Sequence, residues 1–188
     1  MAIPTRKSAP EMMARPGRTF FVTTKTFMGK ALLQSDRHAA LLVDVLRSCV
    51  ADGHFRVHDF VVMPNHLHLL IVLRENMSVE KAMQFVKGRF SYRIKRELGF
   101  GGEVWQRGFS EVRAEGEENL ERYRRYIAQN PVRSGLVRDG ETFPWCFDTL
   151  RRARSQGLKP ASEGGVFGTT EVMPCYEASH PASDDQSH

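Results

Sequence analysis

The 188 residues, 41% hydrophobic and 26% charged, suffice for one domain core with some tail. No run approaches the length of a membrane span and MAIPTRKSAP lacks the apolar stretch of a signal peptide, so a cytoplasmic protein without a membrane partner is expected. The net charge of +5 hides a basic body: residues 161–188 hold five acids and no Lys or Arg, which leaves residues 1–160 at +10, a balance suited to a polyanion.

Residues 1–16, with three prolines and little pattern, read as a flexible lead-in to a domain spanning 17–154. Thr19 to Phe27, rich in β-branched and aromatic residues, predicts a first strand. Asp36 is a candidate N-cap for a helix over 37–51, whose Leu41, Leu42, Val45 and Leu46 recur at helical spacing before Asp52-Gly53 stops it. Two apolar runs, Phe55 to Met63 and Leu67 to Leu73, flank Pro64-Asn65 and predict a β-hairpin buried on both faces. Ser78 caps a second helix to about Leu98, with Val79, Met83, Val86, Phe90 and Ile94 inward and Arg89, Arg93 and Arg96 along one flank. Residues 103–114 predict a fourth strand, irregular around Gly108. A last helix runs over about 117–129 to Asn130-Pro131, where proline pushes the preceding residue out of helical geometry. The order is that of an α+β, ferredoxin-like antiparallel sheet (βαββαβ) with helices on one face, plus a C-terminal helix. From 155 to 188 the chain turns Gly-, Ser-, Pro- and acid-rich and is expected to be mostly disordered. Cys49, Cys146 and Cys175 are widely spaced and fit neither a disulfide framework nor a zinc ribbon.

His66 and His68 open the second hairpin strand. Residues i and i+2 of a strand face the same way, about 7 Å apart, so two imidazoles there can grip one ion. A lone histidine there would more readily be satisfied in the core by a backbone carbonyl, but His-x-His inside an otherwise apolar strand favours the ion. On the last helix, with Leu120, Tyr123 and Ile127 inward, Tyr126 lies about 90° away on the flank, and Asn130 follows one turn on. A tyrosine hydroxyl, normally of pKa about 10, serves phosphoryl transfer when a nearby cation neutralises the phosphate. Tyr126 could also be an ordinary surface residue, and Asn130 a cap for a short helix opened by Pro131.

VVMPNHLHLLIVL, VWQRGFSEVRA and RYIAQNPVRSGLV, in this order, closely resemble the REP-associated tyrosine transposases, single-tyrosine members of the HUH nuclease superfamily. The resemblance spans roughly residues 18–150. It implies that His66, His68 and Asn130 bind Mg²⁺ or Mn²⁺, with Asn130 where other single-tyrosine transposases carry Gln. It implies that Tyr126 attacks a DNA phosphodiester, leaving a 5′-phosphotyrosine and a free 3′-hydroxyl. The implied partner is single-stranded DNA whose imperfect palindromes fold into hairpins, met by a nucleoid-associated monomer or homodimer. The acidic tail has no counterpart in that family.

Imidazole and amide donors with open positions suit a six-coordinate Mg²⁺ or Mn²⁺. A single strand calls for a basic groove with aromatic platforms. Arg89, Arg93, Arg107, Arg124, Arg125 and Arg133 are candidate phosphate contacts; Phe109 or Trp105 are candidate platforms, Trp105 being as readily a core residue. Two rivals remain at this level. One is a non-catalytic ferredoxin-like nucleic-acid-binding module, although no K/R-G-F-x-F-like strand appears. The other is a zinc hydrolase using His54 or His58, although no H-E-x-x-H or carboxylate cluster supports it.

Overall fold

Strands β1 (Thr19–Lys25), β2 (Phe55–Met63), β3 (His66–Leu73) and β4 (Ser110–Arg113) form one antiparallel sheet in the order β2-β3-β1-β4. Helix α1 (Asp36–Ala51) joins β1 to β2, α2 (Val79–Leu98) joins β3 to β4, and α3 (Gly116–Arg133) follows. This is the expected ferredoxin-like βαββαβ arrangement. The structure is a computed structural model and describes residues 18–149 and Arg151; the expected lead-in and acidic tail, with Cys175 and Tyr176, lie outside the described residues. Among the described residues no helix is long and apolar enough to cross a membrane.

The period of two along each strand divides the sheet into two differently used faces. Phe20, Val22, Leu67, Leu69 and Ile71 pack beneath α1 and α2, against Leu42, Val45, Met83, Val86, Phe90 and Ile94. The opposite face is smaller. There Val61, Met63 and Leu70 lie beneath Ile127 of α3, with Phe21, Leu120 and Tyr123 partly buried beside them. The sheet is thus covered on one side by the apolar faces of two amphipathic helices and on the other by a mostly charged helix pinned at few points.

The elements end where their chemistry ends them. The Ser78 hydroxyl accepts the Lys81 N–H at 3.2 Å and so caps α2, and Gly99, in left-handed conformation, closes it. At α1 the expectation shifts by one residue. Asp36 is the first helical residue rather than the cap, and its carboxylate accepts the Trp145 indole N–H at 3.0 Å. Trp145 also brings the chain after α3 along the β2 edge: its carbonyl accepts the Val62 N–H at 2.9 Å, so that edge is not left bare.

Two expected elements are corrected. Of the predicted strand over 103–114, only Ser110–Arg113 is β4, while Trp105 makes an isolated bridge to Thr26. The Lys87 ammonium takes the intervening carbonyls, donating to Gln106 O at 2.8 Å and Gly108 O at 2.7 Å, and Gly108 turns the chain at a positive φ. Helix α3 does not stop at Asn130-Pro131 but runs to Arg133. Proline there removes one amide donor in the last turn, and the residue is buried. Asn130 is therefore inside the helix, its carbonyl accepting the Ser134 N–H at 3.0 Å, and caps nothing.

Candidate active site

The β2–β3 hairpin puts His66 across from Met63 on β2 and Lys25 on β1, and His68 across from Val61 and Thr23. Both histidines therefore face α3. Their Nε2 atoms lie 3.1 Å apart. The other nitrogen of each ring has its own partner: His66 Nδ1 lies 2.6 Å from Asn65 Oδ1, and His68 Nδ1 lies 2.7 Å from the Thr23 hydroxyl. The amide oxygen of Asn65 can only accept, which fixes the His66 proton on Nδ1 and leaves Nε2 a lone pair. Thr23 is different, because a hydroxyl both donates and accepts. With Thr23 donating, His68 carries its proton on Nε2 and donates to His66. With Thr23 accepting, the proton sits on Nδ1 and both Nε2 lone pairs are free to meet one ion.

Both imidazoles are held neutral, the form that binds a metal. Burial depresses the pKa of His66, the Lys25 charge adds to this, and a hydrogen bond with the Asn130 side chain opposes it. Burial, then the charges of His66 and Lys25, push His68 down to about 3.

Helix α3 completes the cluster. Ile127 is buried against the sheet and sets the rotation of the helix. Tyr126, one residue earlier, is 36% exposed and meets His68 edge-on, the ring centroids 5.2 Å apart at 76°. Asn130, one turn on, is buried and reaches His66. Phe21 is the surface on which these rings rest: it stacks on His68 at 5.3 Å and on Tyr123 at 4.6 Å, and meets the Tyr126 ring edge-on at 5.7 Å. Arg133 lies over the outer side of the Tyr126 ring, at 5.7 Å. His66, His68, Tyr126 and Asn130, distant in sequence, thus converge within one chain.

The donor set fits a hard divalent ion. Adjacent donors about 2.1 Å from such an ion lie about 3 Å apart, the spacing of the two Nε2 atoms. The Asn130 amide, whose oxygen would be a third donor, lies beside His66, and no thiolate competes. Among the described residues no group of three His, Cys, Asp or Glu side chains gathers here or elsewhere, so every candidate ligand is neutral.

The candidate DNA contacts divide between the two faces. Arg124, Arg125 and Arg133 are exposed on α3 beside Tyr126, and Arg107 is exposed next to Gln106, whose N–H bonds the Lys25 carbonyl at 3.0 Å. Arg89 and Arg93 belong to α2 on the far side of the sheet. Arg89 donates to Ser48 at 3.0 Å and Asp52 at 2.5 Å, and Arg93 to Asp44 at 2.5 Å and Glu97 at 2.6 Å. Trp105 is tied into the core, tilted against Phe90 at 5.4 Å with its N–H on the Lys87 carbonyl, and Phe109 packs on the same core. His54 stacks on Phe85 at 4.0 Å, apart from the histidine pair, and His58 occupies the irregularity between Val57 and Asp59. Phe21, Thr23 and Lys25, by contrast, face the site without having been singled out from the sequence. Their alternation along β1 was visible; their register against His66 and His68 was not.

A family model described as "Transposase IS200 like" matches residues 26–130, a span that takes in both histidines, Tyr126 and Asn130. A REP-associated tyrosine transposase of Escherichia coli (strain K12) is 24% identical over 150 residues, covering 79% of this chain and 86% of that protein. A solved structure of a REP-associated tyrosine transposase bound to a REP hairpin has the same fold, with a TM-score of 0.60 at 24% identity over 93% of this chain and 100% of that one.

Proposed function

The chain belongs to the IS200-like transposase family, and from that premise we propose that it cuts and rejoins single-stranded DNA beside hairpin-forming repeats through a covalent tyrosine intermediate. Tyr126 is the nucleophile, and His66, His68 and Asn130 hold Mg²⁺ or Mn²⁺. The observation that carries this reading is the placement of Tyr126 edge-on to His68, at 5.2 Å, on the helix whose Asn130 side chain lies beside His66. A ring so placed lies beside the histidine pair and is braced by an edge-on contact with Phe21.

The chemistry divides simply. The Tyr126 hydroxyl oxygen forms a bond to phosphorus and gives its proton to solvent. The bond from phosphorus to the 3′-oxygen breaks, its electron pair stays on that oxygen, and a proton from solvent makes it a 3′-hydroxyl. The product is a 5′-phosphotyrosine, and the reverse attack by a 3′-hydroxyl rejoins a strand. A bound divalent ion supplies charge neutralisation at the phosphate. The chain itself positions the nucleophile through Ile127 and Phe21 and keeps both imidazoles neutral through burial.

Arg124, Arg125 and Arg133, with Arg107, supply attraction to any nucleic acid, which falls steeply with salt and discriminates little. Arg89 and Arg93 would serve only a strand that wraps to the α2 side. A continuous duplex would hold its phosphates away from a tyrosine docked this close to the sheet, whereas a flexible strand beside a stem can reach it. The hairpin bound in the related solved structure supports a hairpin partner for this chain. The test compares covalent adducts formed with Mg²⁺ at matched salt on single-stranded hairpins from the same genome, their fully paired duplexes and scrambled strands. Adducts on hairpins alone are expected. Equal cutting of duplex and hairpin would leave a less selective nuclease in place of this reading.

A further inference from the structure

Lys25 is in the site by position, yet it is neither among the candidate ligands nor the candidate nucleophile. It is the last residue of β1, on the face of Phe21 and Thr23, directly across from His66. Cross-strand neighbours keep their Cβ atoms about 5 Å apart. The side chain is exposed, and no carboxylate among the described residues pairs with it.

Its backbone is held from two sides. The Lys25 carbonyl accepts the Gln106 N–H at 3.0 Å, and the next residue, Thr26, donates its N–H to the Asn65 carbonyl at 2.9 Å. Asn65 in turn holds His66 Nδ1. The end of β1 that carries Lys25 is therefore tied to the residue that anchors His66, and the ammonium reaches out from a fixed backbone.

The charge that acts on both histidines is that of Lys25. The candidate ligands are two imidazoles and an amide, with no acidic group among the described residues to join them. A divalent ion held there would keep its full charge beside the Lys25 ammonium, and like charges at such range repel. An anion between the two reverses the balance.

Taking His66, His68 and Asn130 as the ligands, we propose that Lys25 couples the two occupants of the site, disfavouring the ion alone and favouring it together with a phosphodiester whose non-bridging oxygen lies between ammonium and ion. Lys25 makes no covalent bond. The site is thereby loaded for chemistry chiefly when a strand is present, with Lys25 acting as an electrostatic phosphate contact.

The experiment measures Mn²⁺ affinity of the full chain in a Tyr126→Phe background, so that no bond is cut, with and without a pool of single-stranded hairpin oligonucleotides. Lys25→Met should bind Mn²⁺ roughly threefold to tenfold more tightly without DNA, because a repulsive charge is gone. It should also lose most of the rise in Mn²⁺ affinity that DNA gives the parent. Lys25→Arg keeps the charge and should behave as the parent. Lys25→Gln keeps a hydrogen-bonding side chain without the charge and repeats the test should methionine disturb the strand end. Unchanged or weaker Mn²⁺ binding by the neutral variants overturns the coupling while leaving the ligand assignment intact. Absence of Mn²⁺ binding in the parent overturns the ligand assignment itself, and the coupling with it.

Discussion

His66 Nε2 and His68 Nε2 lie 3.1 Å apart, although strand geometry alone spaces the two residues about 7 Å apart. The rings close that distance because each is anchored at its far nitrogen, His66 by Asn65 and His68 by Thr23. Two lone pairs held this close in the absence of a proton or an ion would repel, so the pair is poised either to share a proton or to share a cation. Which of the two it does depends on the direction of the Thr23 hydroxyl.

Thr23→Val removes that hydroxyl at nearly constant volume. Without an acceptor for its Nδ1 proton, His68 loses the tautomer that frees Nε2. Affinity for Mn²⁺ should fall by roughly 10- to 100-fold, the usual effect of deleting a metal ligand's outer partner. Titration calorimetry measures it, and an affinity equal to that of the parent would remove Thr23 from the site.

Metal binding should also resist acid. A histidine ligand must be neutral, and an ordinary one, of pKa 6.5, is protonated below that value. His68 is pushed down to about 3 and His66 is lowered as well, chiefly by burial. Proton competition therefore begins at lower pH than for exposed histidines, and Mn²⁺ affinity of the DNA-free chain should stay nearly flat from pH 7.5 to about pH 6. A steep loss centred near 6.5 would mean that the rings are not desolvated as described.

Tyr126→Phe deletes one oxygen and leaves the ring contacts with His68 and Phe21. Covalent adducts should disappear, while the melting temperature and binding of hairpin strands stay close to those of the parent. Denaturing gels with labelled strands report the adduct. Adducts formed by the variant would move the nucleophile to another residue.

Ile127 is the sole fully buried aliphatic side chain that α3 sets against the sheet among the described residues, so it holds both Tyr126 and Asn130 in place. Ile127→Ala should cost about 2–5 kcal/mol of stability and depress cleavage further than its effect on folding explains, because the helix loses its register on the sheet. Chemical denaturation alongside single-turnover cleavage separates the two effects.

Asp59, on the α3 side of β2, has its pKa raised from 3.8 to about 6. Burial is the main cause; Asp148 and Glu121 add to it, while the Phe60 N–H and Arg124 oppose it. Between these two values the folded chain holds a proton that the unfolded chain has lost, so this group lowers stability as pH rises through that window. Asp59→Asn should then stabilise the protein at pH 7 by on the order of 1 kcal/mol, discounted for partial solvent access. It should do little below pH 4. Thermal melts at both pH values decide it, and destabilisation at pH 7 would contradict the burial argument.

What the sequence determined by itself was what local rules control. Alternating and helical apolar spacing marked β1, β2, β3, α1 and α2 nearly to their ends, and Pro64-Asn65 set the hairpin that places His66 and His68 on one face. The flank position of Tyr126 beside Ile127 followed from helical geometry alone. Tertiary structure decided the rest, because it depends on which surfaces meet. The Lys87 ammonium, reaching carbonyls 19 and 21 residues away, cut the predicted fourth strand down to four residues. Helix α3 carried on past Asn130-Pro131 where the local steric rule had ended it. The pairing of β1 with β3 brought Thr23 and Lys25 to the histidines, and a one-residue slip in that register would have turned Val22 and Thr24 toward them instead. Arg89 and Arg93 passed to the other side of the sheet for the same kind of reason: a helix's apolar stripe fixes which flank is exposed, and only packing decides which face of the sheet the helix covers.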